Sequence, residues 1–389
     1  MQTHSNFRLL VVRLGAMGDI LHALPAVTAL RQTHPSWVID WVVEPRWQAL
    51  LAKVQPATQD AVALVSGSAS CQGTTSVVPK MQQRIRGALA PEARHSSQPL
   101  IDHLYLAPTR NWRKAPFSRQ TIHEINALRI AMKAAEYDAV IDLQGAIRSA
   151  VVARLACGKR LIGESEPRER AARWLFSERI VTRGTHVIEQ DVELASVIAH
   201  DKLTPVPPWL PVDPAAEAWA DEVLPPTFHQ SAVLINPGAG WGAKRWPVER
   251  YAAVAQSLIA NGCRILINVG PREEPLAEII VRQTGGAATP LVCSLAQLIA
   301  LTRRISLAIA GDTGPLHLAC ALQRPVVGIY GPTDPSRNGP FGTRFIVLRS
   351  PVSRRDHTRY QTPEAGLLTI QPDAVLHAAN ALLYPETAL

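Results

Sequence analysis

Two glycines and an aspartate follow the apolar run Leu9–Val12 in the stretch RLGAMGDILHALPA, Arg13 to Ala26. A phosphate-binding loop would present backbone amides and usually a lysine at such a strand-to-helix turn. Here the side chain offered is the carboxylate of Asp19. Asp is a favoured helix cap, and a carboxylate at the carboxyl end of a parallel strand also faces the ligand crevice of an open α/β sheet. Asp19 therefore reads as a cap, as a general base, or as both. His22, three residues on, reads as a packed or surface residue.

Further stretches carry groups of the opposite charge. In APTRNWRKAPFS, Ala107 to Ser118, the cations Arg110, Arg113 and Lys114 surround Trp112. They suit a carboxylate or phosphate ligand, or form a solvated basic loop. INPGAGWGAKRWP, Ile235 to Pro247, offers three glycines and then Lys244. Free amides and a lysine can cradle a diphosphate, but the spacing does not match G-x-x-x-x-G-K-[ST]. In AGDTGPLHLACAL, Ala310 to Leu322, Asp312, Thr313 and Gly314 precede Pro315, with His317 in the first helical turn. Amides at that helix start suit phosphate oxygens, and Asp312 suits a sugar hydroxyl.

Two weaker signals accompany them. Asp142, Gln144 and Gly145 in DLQGAIRSA form either a cleft-facing polar group or a locally bonded turn. Glu273 and Glu274 in GPREEP either bind ribose hydroxyls or are ordinary first-turn acids. No D-x-D pair, the usual cation holder of metal-dependent nucleotide-sugar transferases, occurs in the sequence.

These residues need parallel strands to bring them together. Candidate strands in the first half are Leu9–Arg13, Val38–Val43, Ala139–Asp142, Arg160–Gly163 and Ile180–Thr182. Those in the second half are Ala232–Asn236, Arg264–Val269, Leu307–Ala310, Pro325–Tyr330 and Phe345–Leu348. Helical patterns Ala23–Gln32, Ile122–Ala135, Pro247–Ala260, Pro275–Thr284 and Leu295–Arg303 alternate with them. The alternation predicts two α/β domains with parallel sheets facing a cleft: a first domain over 1–203 and a second over 228–370. Between them, Thr204 to Thr227 holds seven prolines and reads as an extended linker. Residues 371–389 read as a C-terminal helix packing back on the first domain. Ser66 to Pro99, rich in Ser, Gln and Thr, reads as a mobile surface insertion. Glu166 to Ile180 mixes arginines with Trp174, Leu175 and Phe176. It reads as a lipid-facing segment or a salt-bridged surface helix.

Composition narrows the class. The 389 residues are 47% apolar and 19% charged, which fits a globular chain with full cores. The formal net charge of +8 suits an anionic partner. Cations are dispersed and no zinc-finger, RRM or basic-region pattern is present, so nucleic acid is not expected. Five cysteines without metal-ligand spacing point to reduced thiols in the cytoplasm. No apolar run approaches the ~20 residues of a membrane span.

In this order, RLGAMGDILHALPA, NWRKA, DLQG, GAKRWP, GDTGPLHLA and YGPTDP resemble the ADP-heptose:lipopolysaccharide heptosyltransferases (glycosyltransferase family 9), and are most like the type I branch. The resemblance covers nearly the whole chain except Ser66–Pro99 and the far C-terminus. It implies a GT-B fold of two Rossmann-like lobes, inversion at the anomeric carbon and no metal or cofactor. It implies that Asp19 is the general base and that Lys244 neutralises the departing diphosphate with help from the amides of Thr313 and Gly314. Asp312 would hold heptose hydroxyls and Glu273 the adenosine ribose, with His317 also on the donor side. Arg110, Arg113, Lys114 and Gln144 would meet a Kdo–lipid A acceptor at the inner-leaflet surface. A type II-like enzyme with another acceptor, or a two-lobed nucleotide-sugar-binding protein without catalysis, are the other readings.

Overall fold

A computed structural model describes residues 6–52, 99–355 and 360–385. Residues 66–98 of the expected insertion lie outside the described ones.

The first sheet is built from β1 (Arg8–Val12), β2 (Val38–Val43), β3 (His103–Leu106), β4 (Ala139–Asp142), β5 (Arg160–Glu164) and β6 (Glu178–Ile180). Its order is β3-β2-β1-β4-β5-β6, with every pair parallel. The second comprises β7 (Ala232–Asn236), β8 (Arg264–Asn268), β9 (Thr289–Leu291), β10 (Leu307–Gly311), β11 (Val326–Tyr330) and β12 (Phe345–Arg349). Its order, β12-β11-β10-β7-β8-β9, repeats the first and is again all parallel. Central strands such as RLLVV, AVLIN and LAIAG are apolar on both sides because helices cover both faces of a parallel sheet. In both sheets the chain reverses direction between the central strands β1 and β4, and β7 and β10. A crevice opens there at the carboxyl ends.

Helix Met17–Thr33 packs under the first sheet against Val187–Ala199, and against Gly314–Ala321 of the second lobe. Met17, Leu21 and Leu24 thus share one apolar cluster with Leu316, Leu318 and Tyr330. The lobes meet through a continuous core as well as through the connecting chain.

The structure departs from the expected elements at definite places. The first helix begins at Met17, six residues before the expected Ala23, because Gly18 interrupts the apolar pattern without interrupting the helix. β6 covers Glu178–Ile180 rather than Ile180–Thr182. It is an edge strand, and its pairing ends where β5 ends, with Ser165 N–H donating to Ile180 C=O. Arg160 clasps Glu178 at 2.7 Å and fixes that register. The expected basic loop is a short helix, Thr109–Lys114. The segment 166–180 carries a 3-10 turn, Arg170–Leu175, instead of a longer surface helix.

The expected linker is extended only in its first half. Asp213 caps a helix, Pro214–Val223, which packs on Leu295–Thr302 of the second lobe. Arg304 reaches Glu217 and Asp221, and Arg303 reaches Glu217, across that contact. The C-terminal helix Pro372–Leu383 does not return to the first lobe. Val375, Ala378, Ala379 and Leu382 enter the second lobe's core with Tyr251 and Leu258.

Candidate active site

The loop after β1 is pinned from two sides. Leu14 N–H donates to Gln144 Oε1 at 2.8 Å, and Glu44 N–H donates to Leu14 C=O at 3.1 Å. Gly15 has φ +139°, and a Cβ there would stand 2.5 Å from Trp47 Nε1. Only glycine fits that position. Ala16, not Asp19, occupies the N-cap. Asp19 is the third helical residue, and its Oδ2 accepts the Ala16 N–H at 2.9 Å. This is the backward half of a capping box. Its other oxygen, Oδ1, lies 3.8 Å from Nη2 of the buried Arg13, and the side chain is 31% exposed. One oxygen therefore holds the helix start while the carboxylate still reaches solvent.

Directly opposite stands the start of helix Gly314–Ala321. A Cβ on Gly18 would lie 2.7 Å from His317 Cδ2, and one on Gly314 would lie 2.6 Å from Met17 Sδ. The two lobes touch backbone to side chain at both glycines. The loop that carries the base candidate thus meets the second-lobe motif although 293 positions separate Asp19 from Asp312.

A hydrogen-bonded chain runs across this junction. Lys244 Nζ donates to Asp312 Oδ2 at 2.5 Å. His317 Nε2 donates to Asp312 Oδ1 at 3.1 Å, and His317 Nδ1 meets His22 Nε2 at 3.2 Å. Burial, together with the neighbouring His317, His186 and Arg13, holds His22 well below the usual histidine range, so it is neutral. One proton bridges His22 Nε2 and His317 Nδ1, and the tautomers of the two rings set which nitrogen carries it. His186 closes the edge of the junction. Ile188 N–H donates to its Nδ1, so its Nε2–H donates to Gly339 C=O of the second lobe at 3.1 Å. Burial of Asp312 acts to raise its pKa, but the His317 hydrogen bond and the Lys244 charge outweigh it. They hold the carboxyl well below the usual range. It is a fixed anion.

The other residues singled out in the second lobe lie in loops and helix starts of the same sheet. Lys244 also lies 4.5 Å from the centre of the Trp241 ring. Thr313 caps the helix by position, while its hydroxyl turns back to Gly311 C=O at 3.3 Å. Glu273 precedes helix Glu274–Gln283 and accepts Gly270 N–H at 3.0 Å. Its carboxylate occupies the space a Cβ on Gly238 would need, with Oε2 2.0 Å from that point. The β7 and β8 loops therefore interlock through Glu273.

On the first lobe, the buried Glu44 at the end of β2 organises the basic helix. It accepts Thr109 Oγ1–H and, at 3.1 Å, Arg110 N–H. Trp112 turns inward and donates to Glu124 at 2.7 Å, so Arg110, Arg113 and Lys114 face out. Two further cations, absent from the motif reading, join them. Burial lowers the Arg46 guanidinium, with Arg110 and Arg148 adding to the effect against Glu44. Arg46 lies 4.3 Å from the centre of the Trp47 ring. Arg46 and Arg148 follow the ends of β2 and β4, as Asp19 follows β1, and that placement was the available signal. Gln144 is buried, with its side-chain oxygen on Leu14. Asp142 accepts Gln144 N–H, Gly145 N–H and Ser149 Oγ–H, which is the locally bonded turn.

Substituting Gly18 by alanine tests the lobe contact. The added methyl cannot fit while His317 is held by both Asp312 and His22. We expect kcat to fall about 10- to 100-fold, as for a misplacement near 1 Å, with the melting temperature nearly unchanged. Unaltered kcat would show that this contact does not position the reacting groups.

The comparisons with known proteins fit this geometry. The family model described as glycosyltransferase family 9 (heptosyltransferase) matches residues 125–367. Lipopolysaccharide heptosyltransferase 1 of Escherichia coli K12 is 30% identical over 386 residues, covering 96% of this chain and all of that one. Lipopolysaccharide heptosyltransferase 1 of Pseudomonas aeruginosa is 25% identical, covering 88% of this chain and 84% of that one. Among solved structures, E. coli heptosyltransferase WaaC with ADP superimposes with a TM-score of 0.71 at 26% identity, covering 97% of this chain and 100% of that one.

Proposed function

The chain belongs to glycosyltransferase family 9, the heptosyltransferases, and on that premise we propose that it moves heptose from ADP-L-glycero-D-manno-heptose to the Kdo of Kdo–lipid A, with inversion. Its two parallel-sheet lobes are those of a GT-B glycosyltransferase. The observation that carries the mechanism is the packing of Gly18, the residue before Asp19, against His317 of the Lys244–Asp312–His317 group across the lobe junction.

Asp19 takes the proton from the acceptor hydroxyl as that oxygen attacks the anomeric carbon. The bond from that carbon to the diphosphate breaks on the opposite side. Lys244 has three N–H donors, and only one is needed by Asp312. The others, with the amides of Thr313 and Gly314 at the helix start, neutralise the leaving ADP. Asp312, kept ionised, accepts heptose hydroxyls. Glu273 meets the ribose of the adenosine. Charge is thus supplied by Lys244 and a helix N-terminus, and transfer is expected to survive EDTA.

The acceptor is acidic, and its binding to the first lobe is supported by the cations Arg46, Arg110 and Arg148, with Arg113 and Lys114 on the same short helix as Arg110. Relatives named heptosyltransferase 1 align over most of the chain, whereas heptosyltransferase 2 of Haemophilus influenzae aligns over 47% of it. This supports the first heptose addition over the second. No helix among the described residues is long and apolar enough to cross a membrane. Phe117, 92% exposed beside Arg113 and Lys114, and Trp174 with Arg173 at 5.0 Å, support docking of the cytoplasmic enzyme on an anionic bilayer.

The test is transfer from ADP-heptose to Kdo–lipid A, with and without EDTA. Wild type should form product in both. The double variant Arg46→Ala/Arg148→Ala should raise the acceptor KM by about 10-fold or more, as for loss of charge-assisted bonds, and leave donor affinity unchanged. Added salt should weaken wild type more than the variant. Product only with an acceptor already carrying heptose would replace this reading by the second addition.

A further inference from the structure

Arg13 is a buried cation, 5% exposed, and its Nε has no hydrogen-bond partner among the described residues. Its Nη2 leans on Asp19. Asp191 lies in the electrostatic field of the same guanidinium. It sits on the inner face of helix Val187–Ala199, which packs along the helix that Asp19 begins. Asp191 is 3% exposed, and its Oδ2 is buried with no hydrogen-bond partner among the described residues. A buried carboxyl oxygen left bare in the field of an incompletely bonded guanidinium is expensive unless it has a use.

We propose that Asp191 is a positioning residue for the reaction: through the shared Arg13 it decides how firmly that cation holds the base Asp19. This rests on the reading of Asp19 as the base. The groups facing Asp191 are Arg13 after β1, Asp19 on the first helix, Asp142 at the end of β4 and Glu164 at the end of β5. Burial raises the Asp191 carboxyl to about 8. Arg13 opposes the rise, and Glu164, Asp19 and Asp142 add to it. Asp142 is already committed to three hydrogen-bond donors on its own turn. At neutral pH Asp191 keeps its proton and makes no claim on Arg13, which stays beside Asp19. Once ionised, Asp191 draws the guanidinium toward its own helix and sets a second negative charge near Asp19. The base then loses its orienting cation.

The experiment is the pH profile of kcat from 6 to 9.5, at saturating donor and acceptor, for wild type, Asp191→Asn and Asp191→Ser. Wild-type kcat should fall through one ionisation near pH 8. Asp191→Asn, which imitates the protonated acid, should match wild type within about twofold at pH 7 and lose the alkaline fall. Asp191→Ser, which cannot ionise, should lose it too and keeps the test open if the amide folds poorly. A raised native pKa makes stability drop as pH climbs from the unfolded value toward 8, so Asp191→Asn should also melt higher at pH 8 than wild type. An alkaline fall that persists in both variants would overturn the proposal. So would an equal loss of kcat at every pH, which marks a merely structural acid. Asp19→Asn, run alongside, separates the two readings: if it stays active, the base assignment itself fails.

Discussion

Asp19→Asn should retain less than about one part in a hundred of wild-type turnover, within the 10²–10⁴ span typical of a positioned general base. The asparagine is the informative variant. Its amide oxygen can still accept the Ala16 N–H, so the helix start and the lobe contact at Gly18 stay in place. Asp19→Ala removes that bond as well and should lose about 1 kcal/mol of stability besides the same activity. ADP-heptose affinity should stay within a few-fold in both, because the proposed donor groups Lys244, Glu273 and Asp312 all belong to the second lobe. Calorimetric titration with ADP-heptose and initial-rate assays decide the matter. Turnover above a tenth of wild type in Asp19→Asn would remove Asp19 from the chemistry and leave it a helix cap.

Much of the framework that holds Asp19 was readable from residue order. Strands buried on both faces have to be apolar and rich in β-branched residues, and LLVV, AVLIN and LAIAG declare themselves. The two unforeseen strands lie at sheet edges. β3, HLYL, is half exposed, and β9, TPL, holds a proline that only an edge tolerates. Neither carries the pattern of a core strand. The helix Pro214–Val223 was hidden by the prolines around it, although Asp213 followed by Pro214 is a cap followed by a favoured first residue.

The site divided along the same line. Loops that follow strands announce their chemistry with Gly, Asp and Lys, so Asp19, Lys244 and Asp312 stood out one at a time. Their assembly did not. Gly18 against His317 and His22 against His317 are contacts nearly 300 positions apart, set by how one lobe sits on the other. His22 reads as a packed or surface residue until its partner is placed. Asp191 lies in VIEQDVELASVIA as one polar residue in an amphipathic helix, and periodicity alone cannot say that it faces Arg13. Arg46 and Arg148 join the basic group because β2 and β4 flank β1 in the sheet, a fact of topology rather than spacing.

Lys244→Met should fail in two separable ways. The missing ammonium leaves the departing diphosphate to the helix amides alone, and we expect kcat to fall about 10²- to 10³-fold, as when a preorganised donor is lost. The same change strips Asp312 of a buried partner at 2.5 Å. Removing one member of such a pair costs up to about 3–5 kcal/mol, less here because His317 still bonds the carboxylate. The linkage has a definite sign. Asp312 has a depressed native pKa, so the stability of the pair is present above its unfolded value near 4 and is lost as pH falls below it. Lys244→Met should therefore melt well below wild type at pH 7, with the gap narrowing toward pH 3. Adding Asp312→Asn removes the stranded charge and should restore most of the melting temperature. It should not restore turnover, since the diphosphate still lacks its cation and the heptose now lacks its anionic acceptor. A double variant that regains both would mean that Lys244 serves only to neutralise Asp312. One that regains stability alone assigns the ammonium to the leaving group.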